Sequence, residues 1–396
     1  MNMLPLTGIR ILDFSQGHGA SAGSMQLLDF GAEVIKVENI EGGDFSRGWE
    51  PIKNGESMLF SMLNKGKKSI GVNLKDDEGV KIIKELAKEV DVVITNFRPQ
   101  TMEKYGLGYE SLSELNNEII YVEVTGFGSK SSYSNFPAYE LTVQAASGIL
   151  DVTGFESGPP MKIGVPVASW FTANYVSISI NMALIVRERV GKGQRIDISM
   201  TDAMFSGLED KLAHYSVINA MPIRVGNAHP MIAPYDTFKT KNGFVAFGVS
   251  TDAQWKKFCL AIGKDEWLSI EKYQSNESRG NHYFGDLRNL IEEYTMMKTT
   301  EAILETLSGV VPAGRVNSID DIVSHPQIEA REMLTKCCTE NGESIIVPGI
   351  PIKLHGKTDI KTKKAPVLGQ HTYEILSKIG YSEEELEKLE NDKVII

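Results

Sequence analysis

The sequence predicts an α/β fold: a mostly parallel sheet with helices on both faces, followed by a smaller mixed domain. Three observations carry this. The first 38 residues read as strand, loop, helix, strand. Apolar runs then alternate with helical patterns as far as Thr125. Beyond residue 220 the texture changes to paired strands followed by helices. Strands separated by helical segments favour parallel pairing, because each crossover helix covers a face of the sheet.

Residues 8–14 form the first buried strand and 20–30 the first helix, which Gly31 ends. Residues 32–38 are the second strand. The loop between, SQGHGASAG, is rich in small residues but lacks GxGxxG spacing. Its small residues suit either close strand–helix packing or ligand contact. Residues 68–74 are the third strand, and 76–90 an amphipathic helix with Val80, Ile82, Ile83, Leu86 and Ala87 on one stripe. Strands follow at 91–95 and 119–125. The apolar segment 176–186, broken by serines and Asn181, is shorter than the roughly 20 residues that cross a bilayer and reads as a buried helix. Two strands joined by a turn at 241–243 open the smaller domain, and helices at 252–262 and 287–299 follow. The predicted division is 1–220, 221–315 and 316–396. Residues 319–334 read as helix, break, helix, and the tail as a charged helix with a terminal apolar patch.

Composition narrows the function. A net charge of -11 argues against a nucleic-acid binder, which needs a basic field. Cys259, Cys337 and Cys338 suit neither a disulfide framework nor a zinc site, so a reducing, cytoplasmic setting is expected. The N-terminus lacks the apolar run of a signal peptide. No HExxH, CxxC, GxSxG or Walker A pattern occurs, and no metal is expected.

Open parallel sheets bind ligands beyond the carboxyl ends of their strands. Asn96 and Arg98 follow one such end, and GFGSK at 126–130 follows another. Lys65, Lys67, Lys68 and Lys75 form the best local phosphate-binding patch on an acidic chain. Glu140 enters a helix, where a carboxylate caps or acts as a base, and Gln144 lies one turn later on the same face. Of the scattered histidines, His18 in the glycine-rich loop stands slightly above the rest. Ser169 lies just after Gly164 and Pro166, where a reactive side chain is easily exposed. A serine needs a base to attack well, and no adjacent histidine is visible.

An ordered set of motifs spans nearly the whole chain. It includes LDFGAEVIKVE at 28–38, SIGVNLK at 69–75, NFRP at 96–99 and PAYELTVQAASG at 137–148. It continues with GKGQRIDISM at 191–200, NAHPMIAPYDTF at 227–238, PAGRVNSIDDIVSHPQIEAREML at 312–334 and LGQHT at 368–372. In these the chain resembles the family III CoA-transferases, the CaiB/BaiF family, and the related 2-methylacyl-CoA racemases. The resemblance implies a Rossmann-like large domain with a smaller α+β domain, the C-terminal part returning to the large one. It also implies an interlocked homodimer, with acyl-CoA and a carboxylic acid as substrates and no dissociable cofactor. No nucleic-acid or membrane partner is expected.

Family transferases attack the thioester with an aspartate, forming an acyl anhydride and then an enzyme–CoA thioester. Their pattern resembles GxPxxDxxxG, whereas this chain reads GVPVASWFTAN, with Ser169 at the aspartate position. An acylated serine is an ester and cannot pass CoA onward. The chain is therefore expected to be a CoA-transferase scaffold impaired in transfer. The alternatives are a catalytically silent CoA-binding protein, or another acyl-CoA enzyme such as a racemase, an isomerase or a thioesterase using Ser169. Racemases place histidine and aspartate where this chain has Tyr139 and Ser169, so racemisation is the weaker alternative. By the same resemblance Gln16 orients the acyl group, and Glu140, a cap or a base by its place at a helix entry, is counted with Ser169 and Gln16 as a catalytic candidate. Leu74, Lys75, Asn96, Phe97, Arg98, Lys104 and Tyr139 would line the CoA groove. The stretch GVSTDAQW at 248–255 is not the glycine-rich flap of formyl-CoA transferase, which favours substrates nearer carnitine, succinate or a larger acid.

Overall fold

The computed structural model describes residues 4–338, 342–354 and 364–396. They form two compact units. The first contains the described residues of Met1–Leu150, Lys162–Ala213 and Glu329–Ile396, and the second Asp151–Met161 with His214–Ile328. The division thus falls at 214 and 328 instead of 221 and 315, and a short earlier segment joins the second unit. Hydrogen bonding explains that segment. Gly226 N–H donates to Gly154 C=O, and the Arg224 guanidinium holds the carbonyls of Asp151, Phe155 and Gly158.

In the first unit the sheet strands are β1 (Arg10–Asp13), β2 (Glu33–Glu38), β3 (Lys68–Gly71), β4 (Val92–Thr95), β5 (Ile120–Thr125) and β6 (Arg195–Ser199). Their spatial order is 3-2-1-4-5-6, and every neighbouring pair is parallel. This is the doubly wound arrangement, in which the direction of winding reverses between β1 and β4. The inner strands β1, β4 and β5 are short and largely buried because both faces are covered. Strand β3 stops at Gly71, before the expected 74. Asn73 forms a side-chain turn there, accepting from Lys75 N–H through Oδ1 and from Asp76 N–H through its carbonyl. Strand β6, inside the GKGQRIDISM motif, was not expected as a strand; its sequence RIDIS alternates and only its end is buried.

Helix α1 (Gly19–Asp29) joins β1 to β2, and α2 (Asp77–Ala87) joins β3 to β4, its start capped by Asp76. A short helix α3 (Glu140–Ala146) precedes the long α4 (Val167–Val190). Helix α4 corrects the expectation of a short buried helix. It has 24 residues, and only the face carrying Ala173, Val176, Ile180, Ala183 and Leu184 is buried. By length and composition it could cross a membrane. Its buried face instead joins Val92, Ile94, Val122 and Ile198 of the sheet in one core. Gly23 lets α1 approach α4: a Cβ there would lie 2.7 Å from Val176. A separate core on the other sheet face takes in α2 and the C-terminal residues Leu386, Leu389, Val394 and Ile395.

In the second unit, β7 (Tyr235–Thr240) and β8 (Gly243–Gly248) form the expected hairpin, and β9 (Ala313–Arg315) pairs with β8. Helix α5 (Asp252–Ile262) follows as predicted, with Thr251 as its cap. The helix expected at 287–299 is α6 (Arg288–Met296), preceded by a π turn. Trp255, Phe238, Phe258 and the wholly buried Arg279 occupy the centre of this unit.

Candidate active site

The winding reversal between β1 and β4 leaves a crevice at the carboxyl ends of those strands. Gln16 follows β1 and Asn96 follows β4, so they flank it. The two are stapled together. Gln16 N–H donates to Asn96 Oδ1 at 2.9 Å, and Asn96 Nδ2 donates to Gln16 C=O at 2.7 Å. The residues beside Gln16 are held from below. Lys36 Nζ donates to Ser15 C=O at 2.6 Å and pairs with Asp44 at 2.7 Å, and Asp44 accepts from Gly17 N–H at 3.1 Å. Gly17 has φ +73°, a conformation that favours glycine.

Beneath this loop lies a buried charge network that sequence reasoning missed. Lys67 Nζ pairs with Asp13 at 2.9 Å and also donates to Ser21 Oγ. Buried charges persist only when paired and hydrogen-bonded. Burial alone would raise the Asp13 pKa, but Lys67, Lys36, Ser15 and Ser24 outweigh it and bring the carboxyl down to about 2. Glu38 is likewise lowered, against its burial, by Arg47 and Lys36. The available signal was charge in a buried strand: Lys36 and Glu38 are both buried in EVIKVE.

The same network corrects the predicted phosphate patch. Lys67 is spent on Asp13, Lys65 lies 3.7 Å from Asp29, and Lys68 pairs with Glu33 and Glu374. Of the four lysines only Lys75 is exposed. A run of lysines in sequence was misleading because three of the four meet carboxylates contributed by other elements.

Ser169 sits in the first turn of α4 and is 7% exposed. Its hydroxyl donates to Glu140 Oε2 at 2.8 Å. The same carboxylate accepts from Ser169 N–H at 3.0 Å, Ala168 N–H at 2.8 Å and Gln144 Nε2 at 2.8 Å. Glu140 therefore caps α4, not the helix it begins. A carboxylate is favoured there by the free amides and dipole of a helix start. Gln144, wholly buried, is fixed in turn by Ile163 N–H, which donates to its Oε1 at 2.9 Å. The structure thus sets Glu140, a candidate base, on the Ser169 hydroxyl, where no adjacent histidine offers itself. The acceptor lies 29 residues away in sequence, out of reach of any local motif.

His18 is the N-cap residue of α1, and its ring meets Trp170 edge-on at 5.2 Å between centroids. Burial pushes its imidazole below the ordinary value, against the pull of the Glu140 carboxylate. Its Nδ1 is buried and has no hydrogen-bond partner among the described residues. The loop at 15–19 and the Ser169 turn are therefore neighbours. Gly19 faces the same turn, at van der Waals distance: a Cβ there would lie 3.5 Å from Thr172 and 3.7 Å from Ser169 C=O.

The remaining groove candidates follow the carboxyl ends of the sheet strands or lie in the helices just beyond. Leu74 and Phe97 are half-buried, packed at the edge of the core that includes α2. Lys75, Arg98 and Lys104 are exposed cations. Tyr139 is the exposed N-cap residue of α3, its N–H donating to Thr142 Oγ1.

Comparison with known proteins gives the family. The model of CoA-transferase family III matches residues 6–372. The chain belongs to CoA-transferase family III. Its relatives include a succinate–glutarate CoA-transferase of Agrobacterium fabrum, 36% identical over 386 residues, covering 95% of this chain and 96% of the relative. A succinyl-CoA:mesaconate CoA-transferase of Haloarcula hispanica is 34% identical, covering 95% of this chain and 96% of the relative. The mouse succinyl-CoA:glutarate CoA-transferase is also 34% identical, over 98% of this chain and 89% of the relative. Among solved structures, a CaiB/BaiF family protein from Brucella suis superposes with TM-score 0.85 at 34% identity, covering 96% of this chain and all of that one. In this family III CoA-transferase, then, the doubly wound unit carries both the crevice and Ser169.

Proposed function

We propose that this family III CoA-transferase works on succinyl-CoA or glutaryl-CoA and a short dicarboxylic acid, and that Ser169 impairs the transfer itself. One observation carries this reading. The side chain at the aspartate position of the family pattern is a hydroxyl bound to Glu140, with the surrounding turn, cap and loop in place. A carboxylate nucleophile forms an anhydride that CoA thiolate reopens into an enzyme thioester. A serine ester has no second acyl-type carbon on the enzyme to receive CoA. The substrate class is drawn from the relatives above, three of which are named for succinyl or succinate partners. The thioester carbonyl meets Gln16, and Glu140 orients residue 169. The CoA chain runs past Leu74, Asn96, Phe97 and Tyr139, with Lys75, Arg98 and Lys104 available to its phosphates. No dissociable cofactor is required, since CoA arrives with the substrate.

The working form is a cytoplasmic homodimer. Phe171, Tyr175, Ile178, Met182 and Ile185 form an exposed apolar row on α4, spaced alternately four and three residues apart. That spacing is the seam of paired helices, and a second copy of the chain supplies a matching surface.

The deciding experiment is Ser169→Asp, assayed by incorporation of labelled succinate into CoA thioester from glutaryl-CoA. Restored exchange, absent in the parent chain, is expected. Fast exchange by the unaltered chain, through an enzyme–CoA adduct remote from residue 169, would falsify the impairment.

A further inference from the structure

What Ser169 forbids is transfer to an acid; what its surroundings permit is transfer to water. The serine donates to Glu140 at 2.8 Å, and Glu140 is oriented by Gln144, itself fixed by Ile163 N–H. Nucleophile, proton acceptor and orienting group in hydrogen-bonded series is the arrangement that activates a serine. A second observation is independent of the first. His18 Nδ1 is buried beside Trp170 without a partner among the described residues. A buried ring nitrogen left unpaired is costly unless the site takes up something that pairs with it. Water does so.

We propose that Ser169, Glu140 and His18 form an acyl-CoA thioester hydrolase site, resting on the family reading for the acyl-CoA substrate. Ser169 Oγ attacks the thioester carbonyl carbon while its proton passes to Glu140. The carbon–sulfur bond breaks, and CoA thiolate leaves, recovering that proton. An acyl-serine ester remains. Water then attacks the ester carbon as His18 accepts its proton. The carbon–oxygen bond to Ser169 breaks, the proton returns to Oγ, and the free acid departs. The balance is thioester plus water giving acid plus thiol, with no redox partner. A carboxylate is a poorly matched base for an alcohol, so acylation is slow.

The test uses the full chain with glutaryl-CoA and no acid acceptor. Release of free CoA thiol is followed in water enriched in oxygen-18, and the acid-quenched peptide containing Ser169 is weighed. The expected result is thiol release above the buffer rate, one oxygen-18 in the glutarate and a glutaryl ester on Ser169. Ser169→Ala abolishes release and ester. Glu140→Gln slows release by roughly 10²–10³-fold. His18→Asn raises the standing fraction of ester by slowing its loss. Thiol release no faster than that of Ser169→Ala, or an ester at another residue, overturns the proposal. An unchanged ester fraction in His18→Asn removes His18 from it. Circular dichroism and glutaryl-CoA binding of each variant separate loss of chemistry from loss of fold. The Ser169→Asp chain keeps the two ideas apart: exchange by that variant with no hydrolysis by the parent sinks hydrolysis alone.

Discussion

Replacing Asn96 by alanine removes both hydrogen bonds that hold the Gln16 peptide at the winding reversal. Each such bond is worth about 0.5–1.5 kcal/mol net, so the loop loses about 1–3 kcal/mol of local stability. That corresponds to roughly 5- to 150-fold faster amide exchange at Gln16 if opening is local. Hydrogen-exchange mass spectrometry on the peptide spanning residues 14–19 reads it directly, with the peptide of β5 as internal control. Asn96→Asp keeps the acceptor for Gln16 N–H but turns an oxygen toward its carbonyl, and is expected to be as disruptive. In the Ser169→Asp background, Asn96→Ala lowers kcat more than it raises KM, because a loosened Gln16 misaligns the thioester. Unchanged exchange at Gln16 would refute the staple. A pure rise in KM would leave Asn96 with CoA contact alone and refute its part in aligning the thioester.

Other outcomes follow from the same geometry. Asp13, held at about 2, contributes stability that is present above pH 4 and lost as pH falls through 2; between pH 7 and pH 3 the loss is about 1 kcal/mol. Asp13→Asn should remove that part of the acid slope in urea titrations, and a slope identical to the parent's contradicts the assignment. Gly23→Ala puts a Cβ 2.7 Å from Val176 and 3.1 Å from Ala173 C=O, so α1 and α4 must separate at a cost of about 1–3 kcal/mol, seen as a lower Tm. In the second unit, Arg279 donates to the Ala233 and Tyr273 carbonyls and to Asp252; Arg279→Ala should cost about 3 kcal/mol or more in thermal unfolding. Ile178→Glu and Met182→Glu place charges on the exposed α4 row and should abolish the dimer in sedimentation; a parent that sediments as a monomer removes the seam argument.

Local pattern was enough for most elements. Helix α2 has its stripe and its Asp76 cap adjacent in sequence, and α5 has Thr251 and Gly263 at its ends. Such signals act over a few residues and survive without tertiary information. Strand β6 escaped because only its last two residues are buried, so it lacks the apolar run of its neighbours. Helix α4 was cut short because its outward row is as apolar as its inward one, and composition does not distinguish the two.

The site divides along the same line. Chain order located the strand ends that precede Gln16 and Asn96, whereas the roles given to Gln16 and Ser169 came from the resemblance to the family and not from any local pattern. Side-chain pairing across long separations lay beyond it. Glu140 was expected to serve its own helix and instead caps α4, and three of four lysines in an apparent basic patch are bound to carboxylates. Periodicity and short motifs specify the backbone path because each is a local energetic preference. Which charge meets which is settled only when the sheet order brings distant strands together, since Coulomb and hydrogen-bond energies depend on spatial distance and burial, not on separation along the chain.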